Sequence, residues 1–184
     1  MKSLRVTLLV LPALLLATSP LFAQEHKRVS PHETVKATIG GDEISVVYGR
    51  PYTKDPKSGE MRKIWGGLVP YGKVWRMGAD EATILTTKEK IMLGSAEIPA
   101  GSYSLYLMPE ENGGAKLIVN KQTGQWGTKY EQSEDLVRVD LKKEMAPKDV
   151  DQFTIALEDK KDAGGELKLM WEKTAYSAPI TVKK

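Results

Sequence analysis

Apolar and polar residues alternate along most of the chain after residue 33, and this period of two is typical of strands with one buried face. The first two alternating segments are residues 34–39 and 44–48. Between them lies Gly40-Gly41-Asp42, whose glycines have the backbone freedom that a tight turn requires. The pattern therefore predicts that the folded domain begins with a β-hairpin.

The alternation recurs towards the carboxyl terminus, with turn residues such as Pro99-Ala100-Gly101 between the segments. The further predicted strands are residues 90–93, 102–108, 116–120, 137–143, 152–158, 166–171 and 176–182. Only residues 129–135 favour a helical turn. We therefore predict an all-β fold, a single antiparallel β-sandwich domain over residues 34–184. Its form would be jelly-roll-like or that of a partly closed barrel.

Residues 49–67 have no such period, and they hold two prolines and four glycines. This composition predicts a long surface loop. Trp65 lies near its end and is predicted to fold back onto the sheet, because a large ring gains from leaving water. For the same reason we predict that Trp75 and Trp171 are buried.

The amino terminus has the order of a secretory signal peptide. Lys2 and Arg5 precede an apolar run over residues 6–17, and residues 18–22 then lead to the small residue Ala23. The apolar run is too short to span a bilayer comfortably. We therefore expect cleavage after Ala23, a flexible lead-in over residues 24–33, and a periplasmic or secreted protein without a membrane anchor.

The charge and residue content narrow the function classes. Loss of Lys2 and Arg5 with the leader reduces 27 Lys and Arg to 25, against 24 Asp and Glu. A nearly neutral chain gives no electrostatic reason to expect a nucleic acid partner. The chain has no cysteine, which excludes thiol nucleophiles and thiolate metal sites, and it has no nucleotide-loop or hydrolase motif. We therefore expect no cofactor.

Residues 68–87 hold the densest run of candidate site chemistry, and two interpretations of it stay open. In one, Trp75 lies in the core while Arg76 pairs with Glu81 or Asp80. In the other, aromatic rings and arginines form the walls of a shallow ligand pocket. The residues of that pocket would be Tyr48, Arg50, Trp65, Tyr71, Arg76, Glu81 and Trp126.

Asp80 and Glu81 are adjacent carboxylates. Neighbours in an extended segment point to opposite faces, so we expect these two not to act together as an acid and base pair.

Cleavage after Ala23 would place His26 third in the mature chain, after Gln24 and Glu25. The free amine, two backbone amides and the imidazole would then offer four nitrogens in the square plane that Cu(II) and Ni(II) prefer. His26 is therefore a candidate metal ligand, provided that Gln24 is the free terminus.

Several longer runs resemble an exported bacterial family named domain of unknown function 2911. The runs are Tyr48-Gly49-Arg50-Pro51, residues 63–76, residues 78–83, residues 98–105 and residues 120–127. The resemblance covers nearly all of the mature chain and implies an exported location and a fold, but no activity or catalytic residue. One departure is Asp80, where the family pattern more often has Asn, which argues against a carboxylate-specific role there.

The sequence favours a non-catalytic module that binds an unidentified small molecule or a cell-envelope component. Two alternatives remain. One is a hydrolase-like enzyme that uses Arg76 and Glu81 in a cleft, and the other is a purely structural or interaction protein. The oligomeric state is left open.

Overall fold

The computed structural model describes residues 28–161 and 164–183. The predicted signal peptide, its expected cleavage site and the candidate ligand His26 lie outside the described residues. Within the described ranges, no helix is long and apolar enough to cross a membrane.

The described residues form nine strands and one short 3₁₀ helix. The strands are β1 (His32–Ile39), β2 (Asp42–Gly49), β3 (Thr83–Thr87), β4 (Ile91–Leu93), β5 (Ala96–Ile98), β6 (Gly101–Pro109), β7 (Ala115–Asn120), β8 (Asp135–Asp159) and β9 (Gly165–Val182). The 3₁₀ helix spans Gln132–Glu134, within the segment predicted to form a helical turn. The predicted all-β class is confirmed.

All nine strands belong to one antiparallel sheet in the order β1-β2-β3-β6-β7-β8-β9-β4-β5, and the sheet does not close. It bends into two layers because β8 pairs with β7 through its first part and with β9 through the rest. The core lies between the layers. The predicted sandwich-like architecture is therefore confirmed, with one continuous sheet in place of two separate ones.

The long strands β8 and β9 differ from the prediction, which divided each of them in two. In β8 the pairing with β9 continues through register shifts between Met145 and Val150 and between Val150 and Thr154. Bulged residues interrupt the alternation of side chains while the ladder goes on, so the sequence pattern breaks where the strand does not. The prediction also missed β3 and β5, which have five and three residues.

An aromatic cluster fills the centre of the core. The Trp75 ring centroid lies 5.0 Å from that of Phe153 and 5.8 Å from that of Trp171. Trp75 and Trp171 are both buried, which confirms the sequence prediction for them. Trp65 donates from Nε1 to the Trp171 carbonyl and packs edge-on against Tyr176, so its predicted return to the sheet is also confirmed.

The segment between β2 and β3 covers the free edge of β8. The Pro51 carbonyl accepts from the Phe153 N–H at 2.9 Å, and the Thr53 N–H donates to the Asp151 carbonyl at 2.8 Å. Thr53 itself is buried and accepts from the Trp171 indole. The segment predicted as a surface loop is thus partly built into the domain, where it satisfies backbone groups that an open edge would expose.

Candidate functional site

The segment 76–81 is held by two close backbone approaches. A Cβ atom on Gly49 would lie 2.3 Å from the Ala79 carbonyl oxygen, and one on Gly127 would lie 2.9 Å from the Asp80 carbonyl oxygen. The Ala79 N–H donates to the Gly49 carbonyl at 3.2 Å, and the Gly127 N–H donates to the Asp80 carbonyl at 2.9 Å. Only glycine allows the neighbouring backbones to come this close, so these two positions fix the site's scaffold.

Two residues of this segment adopt left-handed backbone conformations, Met77 with φ 50° and Asp80 with φ 62°. The Thr83 hydroxyl donates to the Met77 carbonyl at 2.7 Å and supports the first of them. The expectation that Asp80 and Glu81 point to opposite faces is wrong, because both carboxylates lie beside His32. The left-handed residue Asp80 interrupts the alternation of an extended chain.

Asp80, Glu81 and His32 form a cluster, with one ligand-type atom from each within 4.8 Å of the other two. His32 Nε2 lies 3.4 Å from Asp80 Oδ2 and 3.3 Å from Glu81 Oε2. His32 reaches this place because it is the first residue of β1 and pairs with Gly49, the residue against which the site segment packs.

Glu81 contacts a cation as well as the imidazole, since Arg28 donates to its Oε1. Burial alone would raise the pKa of the Glu81 carboxyl, but its own backbone N–H, Arg28 and His32 outweigh that effect and hold the pKa below its ordinary value. Glu81 is therefore ionised at neutral pH. The cluster presents negative charge next to an imidazole.

Arg76 does not pair with Glu81, so the predicted ion pair is wrong. Its Nε donates to the Gly78 carbonyl at 3.1 Å, while Glu81 contacts Arg28 and His32. The reason lies in the same left-handed turn at Asp80, which directs Glu81 towards β1. The hydrolase-like alternative relied on Arg76 and Glu81 acting together, and it loses that geometric basis.

Arg76 lines two cavities. The larger one, of about 300 Å³, also has Trp75, Tyr106 and Tyr130 among its walls. The smaller one, of about 120 Å³, is bordered by Arg62 and Asp80 among others. A guanidinium beside aromatic rings is a recurrent arrangement for binding planar anions.

The other candidate residues lie in separate places. Tyr48 is buried, and its hydroxyl accepts from the Ile155 N–H at 2.9 Å. Burial, more than any neighbouring charge, raises the pKa of Tyr48 to about 12. Arg50 contacts Glu33 at 2.7 Å and Thr154 at 2.8 Å, so its guanidinium joins β1 to β8.

Trp65 faces Tyr176 across the core, whereas Tyr71 and Trp126 are exposed. Tyr71 packs against Gly66, and the backbone of Trp126 forms a bridge with Glu81. The structure thus brings Glu81 and Trp126 together through their backbones. Among the candidate residues, Arg76 lines a cavity together with aromatic side chains.

A family model described as "Protein of unknown function (DUF2911)" matches residues 30–180. The chain belongs to this family. The match spans β1 to β9 and includes the whole cluster and both Arg76 cavities. No curated protein and no solved structure matches the chain.

The sequence marks none of three site residues, His32, Tyr106 and Tyr130, as candidates, although Tyr106 falls in the predicted strand over residues 102–108. An alternating strand pattern assigns Tyr106 to a face but not to a cavity. No local signal joins His32 to Asp80, because their approach depends on the pairing of β1 with β2 and on the packing of Ala79 against Gly49.

Proposed function

We propose that this protein is an exported, non-catalytic binding module that recognises a small anionic molecule through Arg76. The proposal rests on the unused hydrogen-bond donors of the Arg76 guanidinium. Among the described residues, its terminal nitrogens have no protein acceptor, and only its Nε is engaged, by the Gly78 carbonyl. A partly buried guanidinium with unused donors offers a two-pronged site for a carboxylate or phosphate.

The walls of the larger cavity support an aromatic or other flat ligand. The rings of Tyr106 and Tyr130 lie 4.9 Å apart in an edge-on arrangement. Both hydroxyls are bonded, Tyr106 to the Lys129 carbonyl at 3.2 Å and Tyr130 to Asp135 at 2.7 Å. Rings fixed in this way lose little entropy when a ligand arrives.

The cavity of about 300 Å³ lies at the small end of the range for ligand sites. It suits a compact ligand with one flat face and one anionic group. A cell-envelope component would bind through an exposed group of that size. The proposed export of the protein rests on the signal-peptide pattern of residues 1–23.

The test is calorimetric titration with benzoate and phenyl phosphate as anionic probes, and with benzyl alcohol as a neutral probe of similar shape. We expect the anions to bind more tightly than the alcohol. Arg76→Met should weaken their binding by about tenfold or more, because a charge-assisted hydrogen bond is lost while the apolar stem is kept.

Lys73→Met is the matched control, since it removes the same charge from an exposed position near Arg76. Arg76→Lys should give an intermediate affinity, because it retains the charge without the planar fork. Equal binding of benzyl alcohol and benzoate, or equal losses in Lys73→Met and Arg76→Met, would refute the proposal.

A further inference from the structure

Three side-chain atoms of the cluster lack hydrogen-bond partners although each is shielded from solvent. They are His32 Nε2, Asp80 Oδ2 and Glu81 Oε2. Two of their separations fall within ion-pair range, yet neither contact has hydrogen-bond geometry. An unsatisfied polar atom out of contact with water is costly, and a single partner shared by these three atoms would satisfy all of them.

The spacing of the atoms indicates what that partner is. A charge-assisted N–H···O bond is about 2.7 to 2.9 Å long. Two ligands that each lie about 2.1 Å from a tetrahedral metal ion stand about 3.4 Å apart. The separations from His32 Nε2 are 3.4 Å to Asp80 Oδ2 and 3.3 Å to Glu81 Oε2. These values match the distance between two ligand atoms of one metal ion.

The surroundings leave the three atoms free for coordination. Arg28 engages the other oxygen of Glu81, so Oε2 remains available. The backbone bridge between Glu81 and Trp126 and the contact between Gly49 and Ala79 hold the two carboxylates in place without using their oxygens. The ligands are thus positioned by the backbone before any ion arrives.

We propose that His32, Asp80 and Glu81 bind a divalent ion of the first transition series. One imidazole nitrogen and two carboxylate oxygens suit the ions from Mn²⁺ to Zn²⁺, whereas Mg²⁺ and Ca²⁺ prefer oxygen ligands alone. Three protein ligands leave at least one coordination position open. This site is independent of anion recognition by Arg76, although Asp80 and Arg76 border the same small cavity.

The experiment begins from the mature protein carrying His26→Ala, because His26 is a separate candidate metal ligand outside the described residues. Co(II) is the first probe, since its visible d-d spectrum reports coordination number directly. We expect one equivalent to bind with a low-coordinate spectrum, Zn(II) to displace it, and Mg(II) at the same concentration to leave it unchanged.

Two ligand variants and one control are compared in that background. His32→Ala removes the imidazole. Asp80→Asn keeps the size of the side chain, and asparagine tolerates the left-handed conformation at this position. Glu43→Gln is the matched control, because it neutralises a carboxylate of β2 that contacts Lys36 and Lys88 away from the cluster.

Removing a residue that only hydrogen-bonds to a metal ligand already lowers metal affinity by about 10- to 100-fold. Removing a direct ligand should therefore lower the affinity at least as much. We therefore expect His32→Ala and Asp80→Asn to bind Co(II) at least tenfold more weakly, and Glu43→Gln to match the background. Far-UV circular dichroism and unfolding midpoints would show that the variants fold.

Two results would overturn the proposal. One is the absence of Co(II) binding by the folded His26→Ala protein. The other is retention of binding in both ligand variants. Because Arg76→Met should leave the Co(II) titration unchanged, failure of the metal site and failure of the anion site can be told apart. A second measurement is a nitrogen-15 spectrum, in which Zn(II) should shift His32 Nε2 more than Nδ1.

Discussion

Gly49 and Ala79 approach so closely that a Cβ atom at position 49 would stand 2.3 Å from the Ala79 carbonyl oxygen. This single contact joins the end of β2 to the segment that carries Asp80 and Glu81. It also places His32, the partner of Gly49 in the sheet, over those carboxylates. The geometry of the cluster therefore depends on a residue without a side chain.

Gly49→Ala should destabilise the protein by about 1 to 3 kcal/mol, because the added methyl group forces two backbones apart. The measurement is the free energy of unfolding in urea. Gly59→Asn is the control, since Gly59 has no atom within 4 Å of an added Cβ and asparagine accepts its positive φ. Equal losses in the two variants would contradict a specific role for the contact between Gly49 and Ala79.

Trp75→Ala should cost about 3 to 5 kcal/mol of unfolding free energy, because the ring is buried against Phe153 and Trp171. Trp126→Ala removes a ring that is 46% exposed, and it should change stability by no more than about 0.5 kcal/mol. Both values come from the same denaturant titration. A loss below about 1 kcal/mol for Trp75→Ala would be inconsistent with a core position.

Burial raises the pKa of Tyr48 from 10.0 to about 12. The stability of the protein therefore depends on pH in the alkaline range. The native state keeps a proton that the unfolded chain loses, so this contribution is complete below pH 10 and is lost as pH rises towards 12. In Tyr48→Phe the decline of stability over that pH range should be less steep. Urea titrations at several pH values measure the slope, and an unchanged slope would argue against this assignment.

At neutral pH Tyr48→Phe should lower stability by about 1 to 3 kcal/mol, because the buried Ile155 N–H loses its acceptor. The unfolding free energy at pH 7 measures this loss. Tyr52→Phe is the control, since Tyr52 is exposed. A loss as small as that of Tyr52→Phe would show that the hydrogen bond between β2 and β8 contributes nothing to stability.

Glu172 combines a left-handed backbone, with φ 52°, and a pKa raised by burial and by Asp149. Glu172→Asn should stabilise the protein by about 1 kcal/mol at pH 7, because asparagine tolerates this conformation and carries no charge. Glu172→Gln keeps the backbone strain and removes only the charge. The raised pKa means that the native state disfavours the charged carboxylate of Glu172 but not the protonated form. Glu172→Gln should therefore raise the free energy of unfolding at pH 7 and leave it unchanged at pH 3, where the carboxyl is protonated.

Thermal or urea unfolding at both pH values tests these variants together. A gain from Glu172→Gln that is the same at pH 3 and pH 7 would contradict the electrostatic explanation. If Glu172→Asn gained no more than Glu172→Gln at pH 7, the left-handed conformation would carry no measurable strain.

The sequence by itself determined the class of fold, because alternation of side chains reports directly which face of a strand is buried. The β1–β2 hairpin at Gly40-Gly41 and the buried positions of Trp75 and Trp171 followed from such local patterns. The continuity of β8 did not, since bulged residues keep the ladder while they break the alternation. Burial is thus a local property of the chain, whereas pairing is not.

The candidate site was decided only by the tertiary structure. Arg76 and Glu81 were identified from their residue types, but their expected pairing depended on an extended backbone that Asp80 interrupts. His32 meets Asp80 and Glu81 because sheet register and one glycine contact bring distant segments together. Residue chemistry can be read along the chain, whereas the convergence of ligands depends on long-range packing that no periodicity encodes.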